Sequence, residues 1–169
     1  MISAALEDTQ DPTVAVRTVS SLILGEVVVA DDIIMNFPTA LWGFPDQHEY
    51  ALLPGARDGL WWLQSLTDDG TSFVLADPFV LDSTYSVDIG DSEGQALGIE
   101  QPSDAFGLVM LSLPATTTEP ITANFRAPLV FNLARRAAMQ VVSRDDKHEL
   151  QRVISLDVFP AQSGGVRPQ

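Results

Sequence analysis

The chain has 169 residues, which suits a single domain with a sizeable core, and 46% of them are apolar. It contains no cysteine, so disulfides, thiolate metal sites and cysteine nucleophiles are excluded. The 23 Asp and Glu residues against 9 Lys and Arg give a formal net charge of −14, which disfavours direct binding to nucleic acid. This charge favours a basic protein partner, although solubility alone would also account for it.

No targeting segment is evident. No uninterrupted apolar run reaches the roughly 20 residues that a membrane helix needs. The first residues lack the basic and apolar regions of a secretory signal. We therefore expect a soluble, cytoplasmic monomer with one domain over residues 16–160, flanked by flexible termini at 1–15 and 161–169.

Short β-type runs separated by turn residues cover most of the chain. In chain order they are residues 16–24, 27–30, 33–37, 50–53, 60–66, 72–76, 85–89, 106–113, 121–132, 139–143 and 154–158. Gly25 with Glu26 predicts a hairpin turn, and Asp68-Asp69-Gly70 predicts another. One short helix is expected from Asp91 or Ser92 to Leu97, ending at Gly98. The pattern predicts an all-β, mainly antiparallel barrel or sandwich.

Polar residues and a proline interrupt the run ITANFRAPLVFN at residues 121–132. Proline in a strand indicates an edge or a bulge, because it cannot donate to the ladder. One interpretation is that Asn124 and Asn132 maintain a bend by bonding local backbone groups. The other is that the strand has an exposed edge that presents a partner-binding surface near the corner at residues 77–79. On the second interpretation the candidate partner-binding residues are Asp77, Pro78, Phe79, Asn124, Arg126, Pro128 and Asn132.

Enzyme chemistry finds little support. His48 and His148 are the two histidines, and both stand among polar and charged residues. A hydrolase site around His148, Asp145 or Asp146 is one hypothesis, but no GxSxG motif accompanies it, so surface histidines are favoured. Adjacent acidic pairs point to opposite faces of a strand and cannot easily share a metal. We expect no catalysis, no metal and no cofactor.

Several motifs, taken together and in order, carry a resemblance to a known family. They are GEVVVADDIIMNFPTALWGF at 25–44, YALLPG at 50–55, WLQSL at 62–66, FVLADPF at 73–79, LGIEQPSD at 97–104, TANFRAPLVFN at 122–132 and QVV at 140–142. In this order the chain resembles FliW, the flagellar assembly factor. The resemblance implies a small antiparallel β-barrel-like fold without catalysis. It also implies binding to two proteins, flagellin and the translational regulator CsrA, so that CsrA repression of flagellin translation is antagonised.

Four features depart from the pattern of that family. Trp42 stands where the family has proline and could expose a large apolar ring. Arg126 replaces an aliphatic residue, and Ala138 stands near an expected glycine, which is costly if that position needs positive φ. The segment after Ser143 is an extension with an extra strand. An alternative function is therefore a FliW-like module or chaperone for a different basic or secreted protein.

Overall fold

Ten strands form the fold, and the computed structural model describes them within residues 14–67 and 70–161. The strands are β1 (Val16–Ser21), β2 (Gly25–Ala30), β3 (Ile34–Asn36), β4 (Glu49–Pro54), β5 (Leu60–Ser65), β6 (Ser72–Ala76), β7 (Phe106–Ser112), β8 (Ile121–Asn132), β9 (Ala137–Gln140) and β10 (Arg152–Ile154). Seven of them, β3 to β9, close into a barrel, because β9 pairs with both β3 and β8. The β3–β9 pair is parallel and the other pairs are antiparallel. The predicted all-β, mainly antiparallel barrel is confirmed.

The hairpin of β1 and β2 lies against the barrel as a separate two-stranded sheet. Gly25 at the end of its turn has φ +76°, a value that glycine adopts without steric cost. Val19 and Val29 are buried on its inner face against Ile34 and Ala51. The predicted hairpin is thus present. The second predicted turn falls partly on residues 68–69, which lie outside the described residues, while the Gly70 amide donates to the Thr67 carbonyl at 2.8 Å.

The barrel interior is apolar and largely aromatic. Phe37 packs edge-to-face on Tyr50 at 5.1 Å and on Phe131 at 6.2 Å between ring centroids. Leu63 on β5 and Leu75 on β6 are fully buried in the same cluster. Burial of these side chains contributes most of the stabilising free energy of a barrel of this kind.

Strand β8 contains a large bulge opposite β7. Three residues on β7, from Leu108 to Met110, lie opposite six on β8, from Asn124 to Leu129. The Asn124 Oδ1 accepts from the amides of Arg126 at 3.1 Å and Ala127 at 2.9 Å, and so holds the bend. Pro128 lies in the bulged segment, where its missing N–H removes no bond from the ladder.

The expectation that β8 has an exposed edge is wrong. One side of β8 pairs with β7, and the other pairs with β10 in its first half and β9 in its second. Between those halves the segment after β9 covers the bulge. The amides of Phe125 and Arg126 donate to the Glu149 carbonyl, and the Ser143 amide donates to the Arg126 carbonyl. Pairing with β9 and β10, together with this segment, leaves no free edge at β8.

The turn between β8 and β9 places its left-handed residue at Arg136, which has φ 52°. Ala138 lies in the extended β9 strand, fully buried against the core. The expected cost of alanine at this position therefore does not arise, because the positive φ occurs two residues earlier.

Two short α-helices and a 3-10 turn occur in the connection between β6 and β7: α1 (Pro78–Leu81), α2 (Asp91–Leu97) and the turn Pro102–Asp104. The sequence predicted α2 and its end at Gly98, which has φ 69°, but the helix N-cap is Gly90. The single-turn α1 was not predicted. It starts at Pro78 because the Asp77 carboxylate accepts from the Phe79 amide at 2.9 Å.

The predicted strand over residues 85–89 is absent. Tyr85 is buried and Val87 and Ile89 are half-buried against the barrel, whereas Ser86 and Asp88 are exposed. Buried and exposed side chains therefore alternate as in a strand. The segment is extended and lies on the barrel surface, but it does not form a ladder of backbone hydrogen bonds.

The chain after β10 returns to the barrel instead of continuing as a strand to residue 158. Leu156–Val158 forms a 3-10 turn. The next residue, Phe159, is fully buried in a second apolar cluster of the core, which also contains Leu60 and Phe125. Arg57 ties this segment down, since its guanidinium donates to the Phe159 carbonyl at 2.9 Å and its backbone pairs with Ala161.

Candidate partner-binding groove

A surface groove lies between the β6–β7 connection and the outer face of β7 and β8. Two adjoining cavities of about 510 Å³ and 140 Å³ form it, and they share Val87, Ile89 and Ala105. We call it the β6–β7 groove. Its apolar end is lined by Pro78, Phe79, Tyr85, Val87, Ile89, Ala105, Gly107, Pro128 and Val130. Its polar end adds Asp88, Gly90, Asp91, Gly94, Gln95, Ile99, Glu100, Gln101 and Pro102.

Tyr85 fixes the apolar end of the groove to the barrel. Its hydroxyl donates to the Phe125 carbonyl at 2.8 Å, and its ring lies edge-on to the Phe125 ring at 5.1 Å. Burial raises the pKa of the Tyr85 hydroxyl, so the group stays a neutral donor. The Phe79 ring also packs edge-to-face on the Tyr85 ring, with 6.3 Å between centroids, and 55% of Phe79 is exposed to solvent. The groove therefore ends at a supported but accessible aromatic ring.

Helix α2 forms one wall of the polar end. The Gly90 amide donates to the Glu93 Oε1 at 2.9 Å, which closes the first turn. Leu97 is buried against Val130 and Val141 on the outer face of the barrel. The Asn132 side chain then donates to the Leu97 carbonyl at 2.9 Å, which joins the helix end to the end of β8.

The rim at the polar end is acidic. Asp88, Asp91 and Glu100 are exposed carboxylates, and none of them makes an ion pair within residues 14–67 and 70–161. Asp104 is different, because its carboxylate accepts from the amides of Glu100 and Gln101. Those two backbone bonds lower the pKa of the Asp104 carboxyl below its usual value.

The structure brings only part of the predicted site together. Pro78 and Phe79 line the apolar end, with Asp77 capping their helix, and Pro128 lies in the groove floor. Asn124 lines a separate cavity with Leu150, and Asn132 is buried. The side chains of Pro128 and Asn132 are buried, so they act through the shape of the groove and strand. Whether the candidate residues contact a partner stays a prediction.

Arg126 belongs to a different cluster from the groove. Its Nε donates to the His148 carbonyl at 3.0 Å, and a terminal nitrogen lies 3.7 Å from the exposed Asp146 carboxylate. The side chain thus fastens the segment after β9 over the bulge in β8. The side chain of Arg126 remains about one third exposed, at 34%.

The expectation that both histidines lie on the surface holds for His48 and is wrong for His148. His148 is 9% exposed and packs against the Tyr85 ring at 4.6 Å. Its Nδ1 lies 2.5 Å from the Ser143 Oγ, and its Nε2 lies 3.9 Å from an Asp145 carboxylate oxygen. The Ser143 Oγ also accepts from the Asp145 amide, and Ser143 is 3% exposed, so this trio stabilises a loop.

Sequence reasoning did not identify most of the groove. Val87 and Ile89 gave an apolar alternation that pointed to a strand, and Gly107 and Glu100 gave no separate signal. Within residues 14–67 and 70–161, no group of three or more His, Asp or Glu is arranged to hold a metal ion. No helix in that part of the chain is long and apolar enough to cross a membrane.

The fold and the groove define a class of protein: a small closed β-barrel with an accessible groove on its outer face. The comparisons with known proteins are specific. The family model for FliW protein matches residues 18–154. A crystal structure of the flagellar assembly factor FliW superposes with a TM-score of 0.74 at 25% identity, covering 85% of this chain and 98% of that one.

The relatives that are similar in sequence include two flagellar assembly factors. A flagellar assembly factor FliW from Treponema denticola is 33% identical over 124 residues, which is 73% of this chain and 84% of the relative. One from Symbiobacterium thermophilum is 34% identical over 137 residues, which is 79% of this chain and 99% of the relative. The chain belongs to the FliW family of flagellar assembly factors.

Proposed function

We propose that this protein binds flagellin and CsrA in the cytoplasm and antagonises CsrA repression of flagellin translation. Membership of the FliW family supports a role in flagellar assembly through protein partners. The observation that carries the proposal for CsrA is the formal net charge of −14. An RNA-binding regulator is basic, so an acidic partner attracts it and speeds the encounter at low salt.

The same charge gives a mechanism for antagonism. An acidic protein bound to CsrA repels the phosphate backbone of an approaching RNA. If the two binding sites on CsrA are separate, the loss of RNA affinity is a coupling free energy, and RNA must weaken the binding of this protein by the same factor. Flagellin binding then releases CsrA, which couples flagellin supply to translation.

The test is titration calorimetry with purified CsrA and purified flagellin at about 50 mM and about 500 mM salt. We expect both partners to bind, and CsrA binding to weaken at least about tenfold at the higher salt. Labelled flagellin leader RNA should leave CsrA when this protein is added. An affinity for CsrA that does not change with salt would remove charge as the driving force. Failure to bind either protein would refute the proposal.

A different protein partner is the second candidate, and Trp42 favours it. This side chain is 59% exposed in the loop between β3 and β4, and a large exposed apolar ring indicates an interaction site. A pull-down from the native cytoplasm separates the candidates. Retention of flagellin and CsrA by both the wild type and Trp42→Ala supports the first. Retention of another protein that is lost in Trp42→Ala supports the second.

A further inference from the structure

We propose that the β6–β7 groove binds a basic amphipathic segment of a protein partner, with its apolar side chains on the groove floor and its Lys or Arg side chains on the acidic rim. The inference rests on the proposed function, because it assumes that the protein works by holding other proteins. It adds the place of binding and the chemistry of the bound segment.

The floor provides an apolar surface of suitable shape. The end with a volume of about 140 Å³ is lined mainly by apolar side chains, and Phe79 stands exposed beside it. A volume of this size at the apolar end accommodates one or two apolar side chains of a partner.

The negative charge of the rim indicates that the bound segment is positively charged. Asp88, Asp91 and Glu100 surround the polar end without ion-pair partners among the described residues. Two cations lie near this end: the Arg144 guanidinium is 3.9 Å from the position that a Cβ on Gly90 would take, and the Arg135 guanidinium carbon is 3.2 Å from that of a Cβ on Gly98. The local balance is negative, so a segment that places cations about one helical turn from its apolar residues is complementary.

The floor of the groove is open at Gly107, the second residue of β7. A Cβ built on Gly107 would meet no heavy atom within 4 Å, and the residue does not have the positive φ that favours glycine. A glycine inside a strand costs stability relative to a β-branched residue. Space above β7 is therefore available for a side chain from another molecule, and a larger residue at this position would occupy that space.

The first arm of the test fills the groove. Gly107→Ala, Gly107→Val and Gly107→Ile form a size series on the full chain. The probe is a fluorescent synthetic peptide of about 14 leucines and lysines that is amphipathic as a helix, and a scrambled peptide of the same composition is its control. We expect affinity for the amphipathic peptide to fall with side-chain size, with a loss of at least about tenfold for Gly107→Ile. Circular dichroism and thermal melting check that each variant folds.

The second arm changes the rim charge. Asp88→Asn with Glu100→Gln removes two negative charges from the groove, and Asp46→Asn with Glu26→Gln removes two exposed charges that do not line it. Both pairs change the net charge equally. We expect at least about fivefold weaker peptide binding for the groove pair and less than about twofold for the control pair.

The outcomes separate the inference from the proposed function. NMR shifts confined to the groove, together with both affinity losses, support the inference. Equal binding by all variants, equal binding of the scrambled peptide, or shifts elsewhere overturn it. Flagellin and CsrA are titrated against the same variants. If the wild type binds neither protein, the proposed function fails, and the peptide arms alone decide the groove.

Discussion

The ring of Phe159 is predicted to be a main source of stability for one end of the barrel. Phe159 is fully buried against Leu60 and Phe125, although it comes after the last strand. The ring also packs directly on backbone, because a Cβ on Gly59 would lie 3.0 Å from its Cδ1. Phe159→Ala removes the ring but keeps the backbone carbonyl that accepts from Arg57. The variant therefore isolates the contribution of apolar packing.

We expect Phe159→Ala to lower the free energy of unfolding by about 4 kcal/mol. Phe→Ala changes in cores cost about 3–5 kcal/mol, and glycine and alanine neighbours such as Gly59 and Ala76 cannot expand into the cavity. The midpoint of thermal unfolding should fall by about 10 °C. Urea unfolding followed by circular dichroism measures the loss.

Val158→Ala is the matched control, since its side chain is 51% exposed one residue earlier, and it should change stability by less than about 0.5 kcal/mol. A loss below about 1 kcal/mol for Phe159→Ala would refute the reasoning, because the ring would then add little to the core. Phe159→Leu should recover part of the loss by refilling the cavity.

Three further predictions test the bulge and the titrating groups. Asn124→Ala should lower the free energy of unfolding in urea by about 1–2 kcal/mol. Asn124→Asp keeps the oxygen acceptor and should lower it less. Equal losses in the two variants would contradict the role of the Asn124 Oδ1. Burial raises the pKa of Tyr50 to about 12. The free energy of unfolding should therefore fall as pH rises from about 10 to 12, because the hydroxyl ionises in this range only in the unfolded state. Tyr50→Phe should reduce that fall, and an unchanged pH profile in the variant would contradict the role of Tyr50. The hydrogen bond from the Thr84 hydroxyl is the largest of the causes that lower the pKa of Asp82 to about 2. The contribution of Asp82 to stability is therefore present above about pH 4 and lost as pH falls towards 2. Thr84→Val should weaken that acid dependence, which is measured by urea unfolding at stepped pH.

The Tyr50 and Tyr85 hydroxyls provide a paired test of buried polar groups. The Tyr50 hydroxyl is buried and has no hydrogen-bond partner within the described residues, whereas the Tyr85 hydroxyl donates to the Phe125 carbonyl. Tyr50→Phe should be neutral or stabilising at pH 7, and Tyr85→Phe should cost about 1–2 kcal/mol. Equal effects in urea unfolding would contradict this assignment.

Local features of the chain were readable from the sequence because they depend on residues close to one another. Gly25 determines the first hairpin turn, and Gly98 ends the α2 helix through its own backbone freedom. The bend at Asn124 was also predicted, since its side chain bonds amides two and three residues ahead. The acidity is likewise a property of composition, and it favours a basic partner or solubility without reference to any site.

Contacts between residues that are distant in the sequence were decided only by the tertiary structure. Strand β8 reads as an edge in the sequence, but β9 and β10 return to cover it from later in the chain. His148 reads as a surface residue, but the ring of Tyr85, far away in sequence, buries it. The β6–β7 groove likewise depends on an extended segment lying across two strands. Such contacts form when segments far apart in the sequence pack on one another, and no local pattern of residues encodes them.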